Sequence, residues 1–369
     1  MTRGGKCFLK TTHFLTCYLG ENKINMLNKI INTSKNAIYI AEIGLNHNGD
    51  FDMAIKMIES AAKSGADAVK FQTFVPELMN SIYTTSLLEN NNEKKSSNEQ
   101  VEFFKQFIFT RDQYWDLFKF AFSLGVVPFS SVFDFPSLEM LEDLNVKMYK
   151  IASSDLTNLP LIQEVAQTGK PLILSTGMAN LDEITMAVEC FRGISNSEII
   201  LMHCVSLYPL KIDYANLNRI QSLKEIFNLD IGLSDHSGGI ILPVIAASLG
   251  SRIFEKHFTV DRNYLCPDKD VSITPVEFSE MIISVENSIK ALGDGDFIIT
   301  DTEAEVARSA KKSLYAKKAI PLGKVLDKDD LVALRPGIGI PVYKIENIIG
   351  KEALIEIKKD HLIREEYLK

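Results

Sequence analysis

The sequence predicts a (β/α)8 barrel (TIM barrel) followed by a small mainly β module. Eight short apolar runs rich in Ile, Val and Phe recur from residue 37 onward, and amphipathic helical patterns separate them. Strands that are apolar along their whole length and alternate with helices indicate a parallel sheet covered on both faces. A doubly wound open sheet is disfavoured, because no GxGxxG follows any of these runs.

The predicted strands follow one another in regular order along the chain. They lie at 37–44, 67–74, 126–133, 147–154, 171–177, 198–206, 230–236 and 251–259. Gly65, Gly125 and Gly250 stand where glycine commonly ends a helix. The segment 75–110 is too long for an ordinary loop, and its polar stretch LLENNNEKKSSNEQ predicts either an excursion over the barrel mouth or a disordered insert.

The predicted domain organisation has four parts. They are an N-terminal tail at 1–35, the barrel at 36–296, a linker at 297–310 and the small module at 311–369. The periodic sequence begins only after Met26, which is therefore a candidate start of translation. Short alternating runs and turn signals such as PLGK and RPGIG predict the β module.

Composition narrows the class of protein. The 369 residues include 46% hydrophobic and 24% charged residues, which is typical of globular chains. The net charge of -8 disfavours a general nucleic-acid binder, although a cleft can still attract anions. No apolar run reaches the roughly 18 residues of a membrane span. Five scattered cysteines without CxxC spacing favour reduced thiols and a cytoplasmic location.

Polar residues concentrate at the predicted strand ends, where barrel enzymes carry their chemistry. Lys70 and Lys150 interrupt apolar strands, and a buried ammonium group needs a partner or a function. His236 and His257 end neighbouring strands, so their imidazoles can converge on one ion. The remaining candidates are Glu42, Gln72, Ser131, Ser153, Asp155, Ser175, His203, Ser206, Tyr208, Ser234 and Glu255.

These residue types indicate two kinds of site. Two lysines with several hydroxyls suit a phosphorylated anion, although each serine alone is as often a helix cap. Two histidines near carboxylates suit Mn²⁺, Fe²⁺, Co²⁺ or Zn²⁺ with open positions. A nucleophilic cysteine is unsupported, because Cys204 and His203 are strand neighbours that point to opposite faces. The residues alone therefore predict a metal-assisted barrel enzyme acting on a phosphorylated substrate.

Seven motifs occur in the order found in one known family. They are AEIGLNHNG (41–49), AVKFQTF (68–74), YKIASSD (149–155), LSTGM (174–178), HCVSLYP (203–209), GLSDHS (232–237) and EKHFTVDRN (255–263). With them the sequence resembles the N-acetylneuraminate (sialic acid) synthase family, which includes legionaminic acid synthases. The module with LRPGIG (334–339) looks like that family's antifreeze-like (SAF) domain. The resemblance implies condensation of phosphoenolpyruvate with an N-acetylated mannose-type sugar, with N-acetylmannosamine as the leading acceptor.

The resemblance also implies residue roles. His236 and His257 would hold a divalent metal, Mn²⁺ first, with Mg²⁺ or Co²⁺ as alternatives. Ser206 would lie near the carboxylate of phosphoenolpyruvate, and the arginine matching Arg335 would reach the sugar's acyl-amino group from the partner of a domain-swapped homodimer. Glu42 and Asp155 are the candidates for proton transfer or water positioning. The phosphate would contact Lys70, Ser131, Lys150, Ser153, Ser175 and Ser234, and the sugar Glu42, Gln72, Tyr208 and Asp268.

Departures from the family pattern concern mainly sugar recognition. Asp155 stands where the family commonly has Glu, Ser131 stands where Thr is frequent, and the PGPD motif appears as Leu265-Cys266-Pro267-Asp268. A legionaminic acid synthase using 2,4-diacetamido-2,4,6-trideoxy-mannose is an open alternative. A synthase for a sugar phosphate would need a second basic cluster, which the strand ends lack. A non-enzymatic carbohydrate- or partner-binding protein is disfavoured, because no lysine or histidine of the site is missing.

Overall fold

The computed structural model describes residues 35–79 and 97–369. The predicted N-terminal tail up to residue 34, with the candidate start at Met26, lies outside the described residues. The same holds for residues 80–96, which contain most of the polar stretch after the second strand.

Eight parallel strands close into a barrel in sequential order, which confirms the predicted fold class. Each strand lies inside its predicted run. The strands are β1 (Ile38–Gly44), β2 (Ala68–Thr73), β3 (Val127–Val132), β4 (Tyr149–Ile151), β5 (Leu172–Ser175), β6 (Ile199–His203), β7 (Ile231–Asp235) and β8 (Ile253–His257).

Helices follow the strands and cover the outside of the barrel. Several begin at capping boxes, in which a side chain and the residue three positions later satisfy each other's backbone N–H groups; Thr274 and Glu277 are one example. The helices of this unit are α1 (Phe51–Lys63), α2 (Pro76–Met79), α3 (Ser97–Lys105), α4 (Arg111–Ser123), α5 (Phe135–Asp143), α6 (Leu159–Gln167), α7 (Leu181–Arg192), α8 (Arg219–Phe227), α9 (Ile241–Ser248) and α10 (Pro275–Leu292).

The described part of the long segment after β2 is held by aromatic packing. The ring of Phe104 lies 5.4 Å from that of Phe74, and the ring of Phe103 lies 5.0 Å from that of Phe107. Phe74 also meets Phe133, which follows β3. These edge-on contacts anchor residues from 97 onward beside the carboxyl ends of β2 and β3, because aromatic pairs in this geometry add to simple burial.

Two apolar layers leave one end of the barrel polar. The interior layer packs residues such as Ile40, Phe129, Ile173 and Met202, while the larger layer packs the outer faces of the strands against the helices. Side chains alternate along a strand, so the inward positions nearest the carboxyl ends belong to the polar residues of the sequence motifs. Strand register therefore collects those residues at one end of the barrel.

A second unit follows Gly293 and spans Asp294–Lys369. Helix α11 (Asp301–Ala310) occupies most of the segment predicted as a linker, and Thr300 caps its first turn. Strands β9 (Ser313–Ala316) and β10 (Leu331–Leu334) pair antiparallel over a small apolar core that includes Leu314 and Ile363. Isolated bridges and short 3-10 turns make up much of the remainder.

Two further observations concern the described residues. The three cysteines among them, Cys190, Cys204 and Cys266, are free thiols. No helix in the described ranges has the length and apolar character needed to cross a membrane.

Candidate active site at the carboxyl end of the barrel

The first group of polar side chains is an ion-pair cluster inside the barrel mouth. Lys70 Nζ lies 2.6 Å from Glu42 Oε2 and donates a hydrogen bond to Ser131 Oγ at 3.0 Å. Gln72 Nε2 donates to the other Glu42 oxygen at 2.9 Å. Register explains the meeting, because Glu42 pairs with Lys70 across β1 and β2 and Gln72 pairs with Ser131 across β2 and β3. The structure thus brings four predicted site residues together.

Glu255 extends this cluster across the barrel. Lys150 Nζ lies 2.9 Å and 3.0 Å from its two carboxylate oxygens, and Ser234 Oγ donates to Oε1 at 2.9 Å. The second oxygen, Oε2, is 3.9 Å from Lys70 Nζ. One carboxylate on β8 therefore contacts both of the lysines predicted to bind phosphate.

Burial and charge act in opposite directions on these groups. Burial raises the pKa of the Glu255 carboxyl, but Lys150 and Lys70 outweigh it and hold that pKa well below its usual range. Burial likewise lowers the pKa of Lys70, but Glu255 and Glu42 outweigh it and raise the pKa. For Lys150 burial wins, and its pKa falls despite the attraction of Glu255. The cluster is a network of opposite charges buried in the barrel.

A second group of side chains surrounds Gly177 in the motif LSTGM. Ser153 Oγ accepts a hydrogen bond from Gly177 N–H at 3.1 Å and lies 3.0 Å from Cys204 Sγ. A Cβ atom on Gly177 would lie only 2.5 Å from Ser206 Oγ and 2.7 Å from Ser153 Oγ. Glycine is needed here because the two hydroxyls approach its backbone so closely. The buried Ser175 ends β5 two residues earlier.

The two predicted metal histidines lie side by side. The centroids of the His236 and His257 rings are 5.5 Å apart. Tyr208 stacks on His236 at 4.1 Å and meets the ring of His257 edge-on at 5.9 Å. His257 Nδ1 lies 3.2 Å from Asp268 Oδ2 without satisfying the angles of a hydrogen bond. Tyr208 and Asp268, both predicted to contact the sugar, therefore border the histidine pair.

The protonation of the two imidazoles differs. Burial, together with the neighbouring His257, lowers the pKa of His236 to about 3. Burial also lowers the pKa of His257, but Asp268 outweighs it and raises the net value. The pKa of Asp268 in turn lies below its usual range, because His257 outweighs burial. His236 is therefore a neutral imidazole near pH 7.

The side chains around the two histidines offer few ligands to a divalent metal. Among residues 35–79 and 97–369, no group of three or more His, Cys, Asp or Glu side chains is arranged to hold a metal ion. Val205 O lies 2.8 Å from His236 Nδ1, which places the hydrogen on Nδ1 and the lone pair on Nε2. His257 Nδ1 is buried without a hydrogen-bond partner. The Tyr208 hydroxyl lies 3.1 Å from His236 Nε2 and occupies that lone pair, so a metal ion would replace this hydrogen bond. With that exchange, the two nitrogens fit an ion that takes its other ligands from substrate or water.

Three predicted residues lie outside the lysine cluster and the histidine pair. Asp155 lies in a 3-10 turn, where its carboxylate accepts from Ser154 Oγ at 2.7 Å and from Asn158 Nδ2 at 3.4 Å. Arg335 follows β10 in the second unit and is exposed. His203, a further strand-end candidate, has its Nε2 2.8 Å from Ala215 O and points outward, as strand parity requires.

Two residues of the site were assigned no partner or chemical role from the sequence, although Glu255 was one of the strand-end candidates. Glu255 shares the inward parity of His257, and Cys204 shares that of Met202 in the interior layer. Strand parity therefore places both side chains inside the barrel. Their actual partners, Lys150 on β4 and Ser153 after it, lie on distant strands, and a single sequence carries no signal for those pairings.

The fold and the site together define a class of protein. A closed barrel carries buried lysines, hydroxyls and paired imidazoles at the carboxyl ends of its strands, where barrel enzymes bind and transform their substrates. The comparison with family models narrows the class. The NeuB family model matches residues 57–297, and the SAF domain model matches residues 311–369. The chain belongs to the NeuB family.

Relatives and solved structures agree with this family assignment. The chain is 38% identical over 335 residues to an N,N'-diacetyllegionaminic acid synthase of Campylobacter jejuni, covering 90% of this chain and 100% of the relative. It is 33% identical to the human N-acetylneuraminate-9-phosphate synthase, covering 89% of this chain and 91% of that protein. A crystal structure of a sialic acid synthetase from Leptospira borgpetersenii is 37% identical, with a TM-score of 0.65, covering 73% of this chain and 90% of that one.

Proposed function

We propose that this protein condenses phosphoenolpyruvate with N-acetylmannosamine and water to give sialic acid and phosphate. The observation that carries the proposal is that two buried lysines, several hydroxyls and two adjacent imidazoles lie together at one end of the barrel. Such a site offers cations and donors to a phosphate and imidazole ligands to a divalent ion. Membership of the NeuB family supports the same chemistry.

Phosphoenolpyruvate would bind on the lysine side of the site. Its phosphate would take over hydrogen bonds that Lys70 and Lys150 now make with Glu42 and Glu255. Ser206 would contact the carboxylate of phosphoenolpyruvate. The hydroxyls of Ser131, Ser153, Ser175 and Ser234 would complete the phosphate site.

The sugar would bind on the histidine side. Mn²⁺ held by His236 and His257, with Mg²⁺ or Co²⁺ as alternatives, would supply Lewis-acid polarisation of the aldehyde oxygen of the open-chain sugar. Tyr208 and Asp268 border these histidines and would orient the sugar. Gln72 would contact it from the lysine side, through the position its amide has beside Glu42.

The reaction balances without a further cofactor. C3 of phosphoenolpyruvate attacks the aldehyde carbon, positive charge develops at C2, and water adds there. The tetrahedral product then expels phosphate by C–O cleavage and leaves a nine-carbon 2-keto acid. Glu42, whose Oε2 lies 2.6 Å from Lys70 Nζ, and Asp155 are the two carboxylates that we propose for proton transfer or water positioning.

A domain-swapped homodimer is the proposed assembly. Arg335 is exposed in the second unit, and its planar guanidinium is suited to an acyl-amino carbonyl. Replacing Arg335 with Ala is expected to raise KM for the sugar more than KM for phosphoenolpyruvate. Mixing R335A chains with chains inactivated at His236 would restore activity if the arginine acts across the dimer.

The direct test is phosphate release from phosphoenolpyruvate by metal-loaded protein. Parallel reactions contain N-acetylmannosamine, the 2,4-diacetamido sugar or no sugar, each repeated after EDTA treatment. Fast, metal-dependent release with N-acetylmannosamine supports the proposal. A His236→Asn variant should lose this activity, whereas His361→Asn, which changes an exposed histidine of the second unit, should retain it. Absence of release with every sugar, from folded and metal-loaded protein, would contradict the proposal.

A second candidate is a legionaminic acid synthase that uses 2,4-diacetamido-2,4,6-trideoxy-mannose. Two relatives named N,N'-diacetyllegionaminic acid synthase favour this candidate. They are 38% and 37% identical to this chain, whereas the human N-acetylneuraminate-9-phosphate synthase is 33% identical. Sugar choice depends on a few polar contacts, because one unpaired group in a pocket can discriminate strongly. Selective release with the diacetamido sugar would establish this candidate in place of the first.

A further inference from the structure

A buried charged cluster lies behind the two strand ends that carry the histidines. Lys256 Nζ is 2.7 Å from Asp235 Oδ2, and neither side chain has any exposed surface. The same ammonium group donates to the backbone oxygen of Ser237. Asp235 accepts in turn from the Ser237 N–H at 2.7 Å and from its hydroxyl at 3.0 Å. All three residues are therefore tied into one network.

The residues of this network are sequence neighbours of the two histidines. Asp235 and Ser237 are the two neighbours of His236, and Lys256 directly precedes His257. Register pairs Asp235 with Lys256 across β7 and β8. Because side chains alternate, these two point away from the barrel interior while the imidazoles point into it. The backbone on both sides of His236 is thus fixed from the face opposite its ring.

Stability alone is a weak reason for this arrangement. Two charges removed from water carry a desolvation cost that often cancels their attraction, so buried pairs are often replaceable by neutral residues. Lys256 and Asp235 meet no substrate-facing group of the site described above. What their contacts do fix is the conformation of residues 235–237 and the alignment of β7 with β8.

We propose that Lys256, Asp235 and Ser237 are positioning residues that set the separation and orientation of His236 and His257 for a divalent metal. The inference rests on the metal role assigned under the proposed function. Loss of a residue that orients a metal ligand without itself touching the metal typically weakens metal affinity by about 10- to 100-fold. Loss of this network is therefore expected to weaken metal binding while leaving the barrel folded.

The test uses the full chain with the double substitution Asp235→Asn/Lys256→Met. Both buried charges disappear together, and Asn keeps an acceptor for the Ser237 N–H. Binding of Mn²⁺ to metal-stripped protein is titrated by electron paramagnetic resonance, and folding is checked by circular dichroism and thermal melting. The dissociation constant should rise at least about 10-fold. The Mn²⁺ concentration that half-restores phosphate release should rise in parallel, with kcat recovering at saturating metal.

The matched control is Asp67→Asn/Lys35→Met. Lys35 Nζ lies 2.6 Å from Asp67 Oδ1, and Asp67 directly precedes β2 at the opposite end of the barrel. This variant removes the same two charges without touching the histidine strands. Its dissociation constant for Mn²⁺ should equal that of the parent, so a general loss of stability is separated from a loss of positioning.

The Mn²⁺ titrations distinguish failure of the positioning role from failure of the metal role. An unchanged dissociation constant in the folded double variant would overturn the inference while the metal role stands. A parent that binds no Mn²⁺ would remove the metal role and the inference with it, whereas Mn²⁺ binding without phosphate release would leave the inference intact and refute the proposed reaction. If the double variant fails to fold, Ser237→Ala decides: about a fivefold weaker affinity is expected from one lost hydrogen bond, and no change would be a refutation.

Discussion

Replacing Glu255 with Gln tests the charge network that joins the two lysines. The carboxylate lies 2.9 Å from Lys150 Nζ and 3.9 Å from Lys70 Nζ, and it is almost completely buried. Two unit charges about 4 Å apart attract by about 4 kcal/mol at an effective dielectric constant of about 20. Breaking a buried ion pair at one partner costs about 3–5 kcal/mol, because the remaining charge stays buried without compensation. We expect E255Q to lower the free energy of unfolding by that amount.

The assay is urea denaturation followed by circular dichroism, with and without phosphoenolpyruvate. The control is Glu59→Gln, which breaks the exposed pair of Glu59 with Lys63 and should cost less than about 0.5 kcal/mol. Phosphoenolpyruvate supplies a new anion to Lys150, so it should stabilise E255Q more than it stabilises the parent. If E255Q is no less stable than E59Q, the assignment of a charged Lys150–Glu255 pair is refuted.

Two further predictions concern other parts of the chain. Gly177→Ala should raise KM for phosphoenolpyruvate about 10-fold or more and leave Tm nearly unchanged. The reason is that the added Cβ would displace the hydroxyls of Ser153 and Ser206. An unchanged KM would contradict this prediction. Asp330→Asn should lower the free energy of unfolding by about 2 kcal/mol at pH 7. Burial raises the pKa of Asp330, but the Asp327 backbone N–H, Lys324 and Lys318 outweigh it and hold that pKa at about 2. A depressed carboxyl pKa stabilises above the unfolded value, so urea titrations should show this difference fading between pH 3.8 and about 2, and a constant difference would refute it.

The barrel was predictable because its information is local and repeated. Each apolar run fixes a strand, and the helical patterns between runs fix the parallel order, so closure follows from the count of eight. The positions of the strand ends were predicted less accurately. The fourth strand was predicted at 147–154 but spans Tyr149–Ile151, because Lys147 is exposed and the chain turns into a 3-10 helix at Ser153.

The helix Ser97–Lys105 within the predicted excursion, by contrast, depends on tertiary packing. Its own sequence is strongly polar at the start and gives only a weak helical signal. The rings of Phe103 and Phe104 meet Phe107 and Phe74, and these contacts supply the order that local propensity lacks. The contact of Phe104 with Phe74 joins residues 30 positions apart in the chain, and a single sequence does not reveal it.

The site shows the same division between local and distant information. Strand parity and position at the strand ends predict that Lys70 and Lys150 lie inside the barrel, and the interpretation as a phosphate site followed from their positive charge together with the neighbouring hydroxyls. The structure adds that Glu42 and Glu255 already pair with them, so the two lysines and two carboxylates balance. A phosphate bound as proposed would therefore have to compete with Glu42 and Glu255 for the two ammonium groups. Its larger charge and more numerous acceptor oxygens would favour the phosphate over either carboxylate in that competition.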